Sequence, residues 1–145
     1  MPLFSGYLAS YAFRNCSTLT EIDLPNCTAV DNNAFYQCKN LSYANLINCQ
    51  MIGANAFYMC SKLTTLSFPN CTIIYASAFA NCSNLFSLYL TGSVYVSLYS
   101  SVFNYTPFTV SSNGVYGSIY VPASMLETYK TLPNWSNLSQ RLVGI

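Results

Sequence analysis

The chain has 145 residues, 52% of them hydrophobic, with five basic side chains, four acidic ones and no histidine. A net charge of +1 with scattered basic residues gives no electrostatic case for nucleic acid. Asn, Ser or Thr interrupts each apolar run within a few positions, so no eighteen-residue apolar stretch offers a membrane span.

At the start, Met1-Pro2-Leu3-Phe4-Ser5 has neither a basic region nor a long apolar one and does not read as a signal peptide. The expectation is a piece of a longer secreted protein, or a protein exported or assembled without a cleaved signal. A repeat begins almost at once, with Leu8, Ala12 and Phe13 already in columns that recur downstream. So short a first unit leaves a sheet edge poorly covered, and an open edge invites pairing with another chain.

From there seven cysteines, Cys16, Cys27, Cys38, Cys49, Cys60, Cys71 and Cys82, follow one another at intervals of eleven residues. The true period is twenty-two, because alternate cysteines have different neighbours. Cys16, Cys38, Cys60 and Cys82 follow the pairs Ala12-Phe13, Ala34-Phe35, Ala56-Phe57 and Ala78-Phe79, whereas Cys27, Cys49 and Cys71 follow Asn26, Asn48 and Asn70. Further apolar columns run Leu19, Leu41, Leu63, Leu85; Ile22, Ala44, Leu66, Leu88; Leu24, Leu46, Phe68, Leu90; and Val30, Ile52, Ile74. Such a period predicts a solenoid in which each unit gives one short strand and one turn, and units bury their apolar sides only by stacking.

The unit reads L-x-x-I-x-L-P-N-C-x-x-V over 19–30, then Ala34-Phe35-x-x-Cys38. This pattern resembles the leucine-rich repeats of BspA-like bacterial surface proteins. Units 12–33, 34–55 and 56–77 match in full, a fourth holds over 78–91 until Gly92, and a decayed fifth lies at Val102-Phe103-Asn104-Tyr105-Thr106, two residues out of register. The resemblance implies a β-rich, right-handed superhelical solenoid of about four to five units. It spans 1–116, with regular units over 12–91 and an irregular fifth over 92–116. A C-terminal cap over 117–145 belongs to the same domain. The resemblance also implies an adhesion or interaction module that is extracellular or on the cell surface, acting on a host or bacterial protein or glycan.

Within the tail, Gly117 to Val121 reads as a strand and Pro122 as a helix opening, with Ala123 or Ser124 near the N-cap. Met125, Leu126, Tyr129 and Leu132 have helical spacing over 123–132, which Pro133 stops. A second short helical turn carries Leu138, a final strand covers 142–145, and Trp135 reads as the plug of the cap.

The cysteines read as reduced structural thiols: free cysteine behaves as a small buried hydrophobe, and stacked side chains point in parallel rather than toward each other. No metal or other cofactor is expected, since histidine is absent and carboxylates are few. One step beyond the cysteine grid at either end lie Ser5 and Ser93, expected to replace the thiol where burial fades. Glu21 and Asp23 share one strand face, but a pair of solvated charges that keeps an edge from aggregating explains them better than acid–base chemistry. Sequons at Asn15, Asn26, Asn70, Asn81 and Asn104 arise mostly from the repeated Asn-Cys-Ser/Thr columns and need no glycan.

Function is therefore sought on the surface. If Ile22 and Leu24 point inward, the outer face carries the stripes Glu21, Tyr43, Thr65, Ser87 and Asp23, Asn45, Ser67, Tyr89, with Pro25, Ile47, Pro69 and Thr91 beside them. Tyrosine with Asn, Ser and Thr on a rigid sheet is the composition of a binding surface. Tyr36, Tyr58 and Tyr75 are expected to stack on the Ala-Phe side, and Tyr95, Tyr99, Tyr105 and Tyr116 to crowd the irregular segment. The alternative reading is a structural protein that assembles with its own copies, through the open N-terminal edge, or with a larger particle such as a phage virion.

Overall fold

The computed structural model describes residues 6–145, so Ser5 and the leader reading of the first five residues lie outside the described residues. The strands in chain order are β1 (Gly6–Leu8), β2 (Glu21–Asp23), β3 (Cys27–Val30), β4 (Tyr43–Asn45), β5 (Met51–Ile52) and β6 (Thr65–Ser67). They continue with β7 (Ile73–Ile74), β8 (Ser87–Tyr89), β9 (Ser97–Leu98), β10 (Ser118–Val121) and β11 (Leu142–Gly144). All ladders between them are parallel. One sheet runs β1-β3-β5-β7-β9; the other face holds β2-β4 and, beside it, β6-β8-β10-β11.

Each turn thus carries two short strands, not the single strand expected. The second strand comes from neighbours rather than from local pattern. Leu8, Val30, Ile52, Ile74 and Leu98 stand opposite one another in successive turns and are all buried. Backbone pairing follows once that column has stacked. A third side carries no strand yet is still laddered, since the amides of Phe13, Phe35 and Phe57 donate to the carbonyls of Ala34, Ala56 and Ala78 at 2.7, 2.8 and 2.8 Å.

That third side turns on residues with left-handed backbone, two per turn: Tyr11, Asn33, Asn55, Ser77 and Ser101 in one column, and Asn15, Gln37, Met59, Asn81 and Tyr105 in the other. Asparagine tolerates that region better than most side chains, which accounts for its recurrence there. Between the two columns the phenylalanines form a continuous stack. Phe13–Phe35, Phe35–Phe57, Phe57–Phe79 and Phe79–Phe103 have centroids 5.4, 5.0, 5.5 and 5.8 Å apart.

The fifth turn keeps this architecture after a two-residue insertion. Ile73 pairs with Ser97, twenty-four positions on, and Val102-Phe103 takes the Ala-Phe place, with the Phe79 amide donating to the Val102 carbonyl at 3.0 Å. Gly92 lies where an added Cβ would come 2.3 Å from the Pro69 carbonyl oxygen, so only glycine fits the detour. Ser93 is exposed and does not replace a thiol, a correction that follows from the insertion. In the other cysteine column the place that follows Cys82 falls to Thr106, which is buried with its hydroxyl donating to the Phe103 carbonyl at 2.7 Å. Ser112 and Val115 then close a two-residue hairpin around Asn113-Gly114, both at positive φ, as such turns require.

The cap follows the expected order of elements with shorter helices. A 3-10 turn (Ala123–Met125) leads into α1 (Leu126–Tyr129), after which i→i−3 bonds from Thr131 and Leu132 tighten the chain before Pro133. Pro122 occupies the N-cap and no side chain caps the helix, so neither Ala123 nor Ser124 has that role. A second 3-10 helix (Ser136–Arg141) buries Leu138 and leads into β11. Trp135 and Tyr129 are fully buried in the same apolar cluster as the repeats.

Candidate binding face

The two predicted stripes exist as aligned rows. Glu21 stands opposite Tyr43 and Asp23 opposite Asn45; Thr65 stands opposite Ser87 and Ser67 opposite Tyr89. Between them Leu66 and Leu88 point into the core, so strand alternation turns the stripe residues outward. Glu21, Asp23, Tyr43, Thr65 and Ser67 are exposed, and Asn45, Ser87 and Tyr89 are half-buried. The Asn45 amide donates to the Asp23 carboxylate at 2.8 Å, which fixes one rung of the row.

The rows run further than the sequence suggested. Ser118 and Tyr120 of β10 pair with Ser87 and Tyr89, and Val143 of β11 pairs with Tyr120. The rings of Tyr89 and Tyr120 stack at 4.4 Å, 9° from parallel. Tyr120 was legible as part of a strand, but thirty-one residues separate it from its partner and no repeat arithmetic reaches across that gap. Beside the rows, Asn48 and Asn70 donate to the carbonyls of Pro25 and Ile47 in the preceding turn at 2.9 and 3.0 Å, binding turn to turn along the rim.

The tyrosines elsewhere divide differently from expectation. Tyr36 and Tyr58 do stack, at 5.0 Å, and Arg14 lies over both Tyr11 and Tyr36. Tyr75 stacks instead on Tyr99 at 4.7 Å, because it lies on the strand side of the turn. The tyrosines of the irregular segment do not form one cluster: Tyr95 packs edge-on against Tyr129, Tyr116 lies under Arg141 at 3.6 Å, and Tyr105 is exposed.

The thiols line the interior. All seven cysteines are free; Cys27, Cys38, Cys49, Cys60, Cys71 and Cys82 are buried and Cys16 is half-buried. Cys38, Cys60 and Cys82 each donate S–H to the carbonyl of Phe13, Phe35 or Phe57 one turn back, at 2.9, 3.1 and 3.0 Å. Cys27, Cys49 and Cys71 donate within their own turns, to Ala29, Met51 and Ile73. Burial away from water pushes Cys38 up to about 11 and Cys49, Cys71 and Cys82 up to about 12, and raises Cys27 and Cys60 as well. Protonated thiols shielded in this way are poor nucleophiles and poor metal ligands.

Among the described residues no group of His, Cys, Asp and Glu is arranged to hold a metal ion, and no helix is long and apolar enough to cross a membrane. A cleft beside the cap, lined by Thr91, Gly92, Tyr95, Pro122 and Met125, contains no carboxylate. Repeated turns, a rigid outer face and an inert interior define a leucine-rich repeat scaffold of the binding, typically non-catalytic, kind. The model of the BspA type leucine rich repeat region matches residues 5–109 in six copies, and the chain belongs to that family, one of repeats for protein interaction. Among curated proteins no relative matches the chain.

Proposed function

We propose that the protein is an adhesion or interaction module of a bacterial surface or secreted protein. Its ligand, a protein or glycan, lies across the outer face of the second sheet. Glu21, Asp23, Tyr43, Asn45, Thr65, Ser67, Ser87 and Tyr89 form that face, and Tyr120 extends it. The observation that carries this reading is the alignment of polar and aromatic side chains, rung by rung, on a sheet whose other side is core. Tyrosine held on paired strands has little rotamer freedom left to lose, and its ring offers apolar contact beside a polar hydroxyl.

The test is binding of the full chain to an array of glycans and purified extracellular-matrix proteins. Tyr43→Ala combined with Tyr89→Ala abolishes the signal while the circular dichroism spectrum is unchanged. Retention of every signal by the double variant, or no specific binding by the parent chain, overturns the proposal.

A further inference from the structure

The face that carries the stripes is built of β2-β4 and, beside it, β6-β8-β10-β11, and among the described residues it begins at β2 and ends at β11. Both edges belong to parallel ladders of the same polarity, so a strand added beyond β11 in the established register is a strand like β2. Continuing the pairing of Ile119 with Leu142 by one more strand sets Leu142 against an inward residue. It also sets Arg141 against the outward residue one position earlier. In β2 those two residues are Ile22 and Glu21.

Charge agrees with register. Over residues 6–31 the chain carries Arg14 against Glu21, Asp23 and Asp31, and over 32–145 it carries Lys39, Lys62, Lys130 and Arg141 against Glu127. One end is therefore acidic, while in the cap Lys130 is paired with Glu127, and Arg141, at the margin of β11, has no acidic partner among the described residues. Among the described residues, the acidic end is also the end where five apolar residues, Phe13, Cys16, Leu19, Ile22 and Leu24, are only partly buried. Two acidic ends meeting head to head would oppose Glu21 and Asp23 of both copies, an unfavourable arrangement.

We infer that a second copy of this chain docks head to tail, its β2 pairing in parallel with β11 of the first. Leu142 then meets Ile22, and Arg141, which lies over the Tyr116 ring in the single copy, swings out to meet Glu21. The first sheet takes no part, because its last strand is already occupied. Trp135 and Asn134 donate to the carbonyls of Val96 and Leu98, and the Tyr129 hydroxyl accepts from the Val96 amide. The contact is one strand pair with an ion pair at its margin, hence weak, salt-sensitive and non-closing, so that copies add in a row. The inference stands apart from ligand binding by the face, which a single copy can perform.

Sedimentation velocity of the full chain over rising concentration reads it. Association that grows with concentration and falls with added salt is expected. Glu21→Arg alone and Arg141→Glu alone each weaken it by about tenfold or more, since like charges then face each other. An equimolar mixture of the two variants associates again, because each head then finds an opposite tail. A monomer at every concentration, association indifferent to both substitutions, or a mixture no better than its components overturns the inference. Array binding by the Arg141→Glu variant, which leaves every residue of the proposed face in place, tests the face separately.

Discussion

The first and fourth turns of the solenoid carry the same columns and experience different surroundings. Phe79, Cys82, Leu85, Leu88 and Leu90 are buried to 1% exposure or less, while Phe13, Cys16, Leu19, Ile22 and Leu24 are only partly buried. A column in the sequence therefore states what a residue can do, and its neighbours decide how much of that is realised. In a stack held by nearest-neighbour contacts, stability is greatest where a turn has partners on both sides.

The largest expected effect lies in alkali. Unfolded thiols titrate near 9.0, whereas the buried thiols resist ionisation to about 12. The folded state thus holds more protons than the unfolded state above pH 9. Stability is full below pH 9 and falls as pH rises, by up to about 1.4 kcal/mol per thiol per pH unit. Several such thiols together exceed a typical domain stability of roughly 5–15 kcal/mol, so unfolding is expected between about pH 10 and 12. Urea midpoints measured under reducing conditions at pH 8, 9 and 10 check this. Cys82→Ala makes the slope with pH shallower.

Truncating the aromatic stack comes next. Phe79→Ala or Trp135→Ala is expected to cost about 3–5 kcal/mol, and Phe13→Ala less than half of that, because Phe13 is only partly buried and among the described residues stacks on Phe35 alone. Urea denaturation of the three variants orders them, and equal losses at Phe13 and Phe79 would erase the distinction between the turns. Tyr129→Phe is smaller, about 1–3 kcal/mol, since it leaves the Val96 amide without its acceptor in a buried place.

The smallest effect belongs to the first turn. Asp31 accepts hydrogen bonds from Ser10 and Tyr7, which hold its carboxyl below the usual carboxylate range. That contribution is present above the unfolded pKa and is lost as pH falls through the folded one. The carboxylate is near the surface and screened, so Asp31→Asn is expected to cost no more than about 0.5 kcal/mol, read as a slight loss of melting temperature at pH 7 that shrinks as pH falls through the folded pKa.

Much of this organisation was legible in advance because the repeat writes it several times over. The period, the Ala-Phe stack, the inward columns and the outward stripes each rest on three or four copies, and the cap on Pro122, Trp135 and Pro133. What was not legible depends on partners. Met51–Ile52 and Ile73–Ile74 are too short to alternate, and they become strands only because each lies beside the other. The insertion leaves Ser93 on the surface, outside the Cys27–Cys49–Cys71 column, and shifts the place that follows Cys82 to Thr106, a change that counting from either end cannot locate. Tyr120 joins the face through a thirty-one-residue excursion that includes the Asn113-Gly114 hairpin and that no repeat column spans.

The measurement that tests the difference between the two ends most directly is native-state thiol labelling followed by residue-resolved mass spectrometry. Cys16 labels rapidly in the folded protein, while Cys27, Cys38, Cys49, Cys60, Cys71 and Cys82 stay protected until denaturant is added, with Cys82 among the last. Rapid labelling of several of the six in native buffer, or uniform rates along the ladder, would contradict the account.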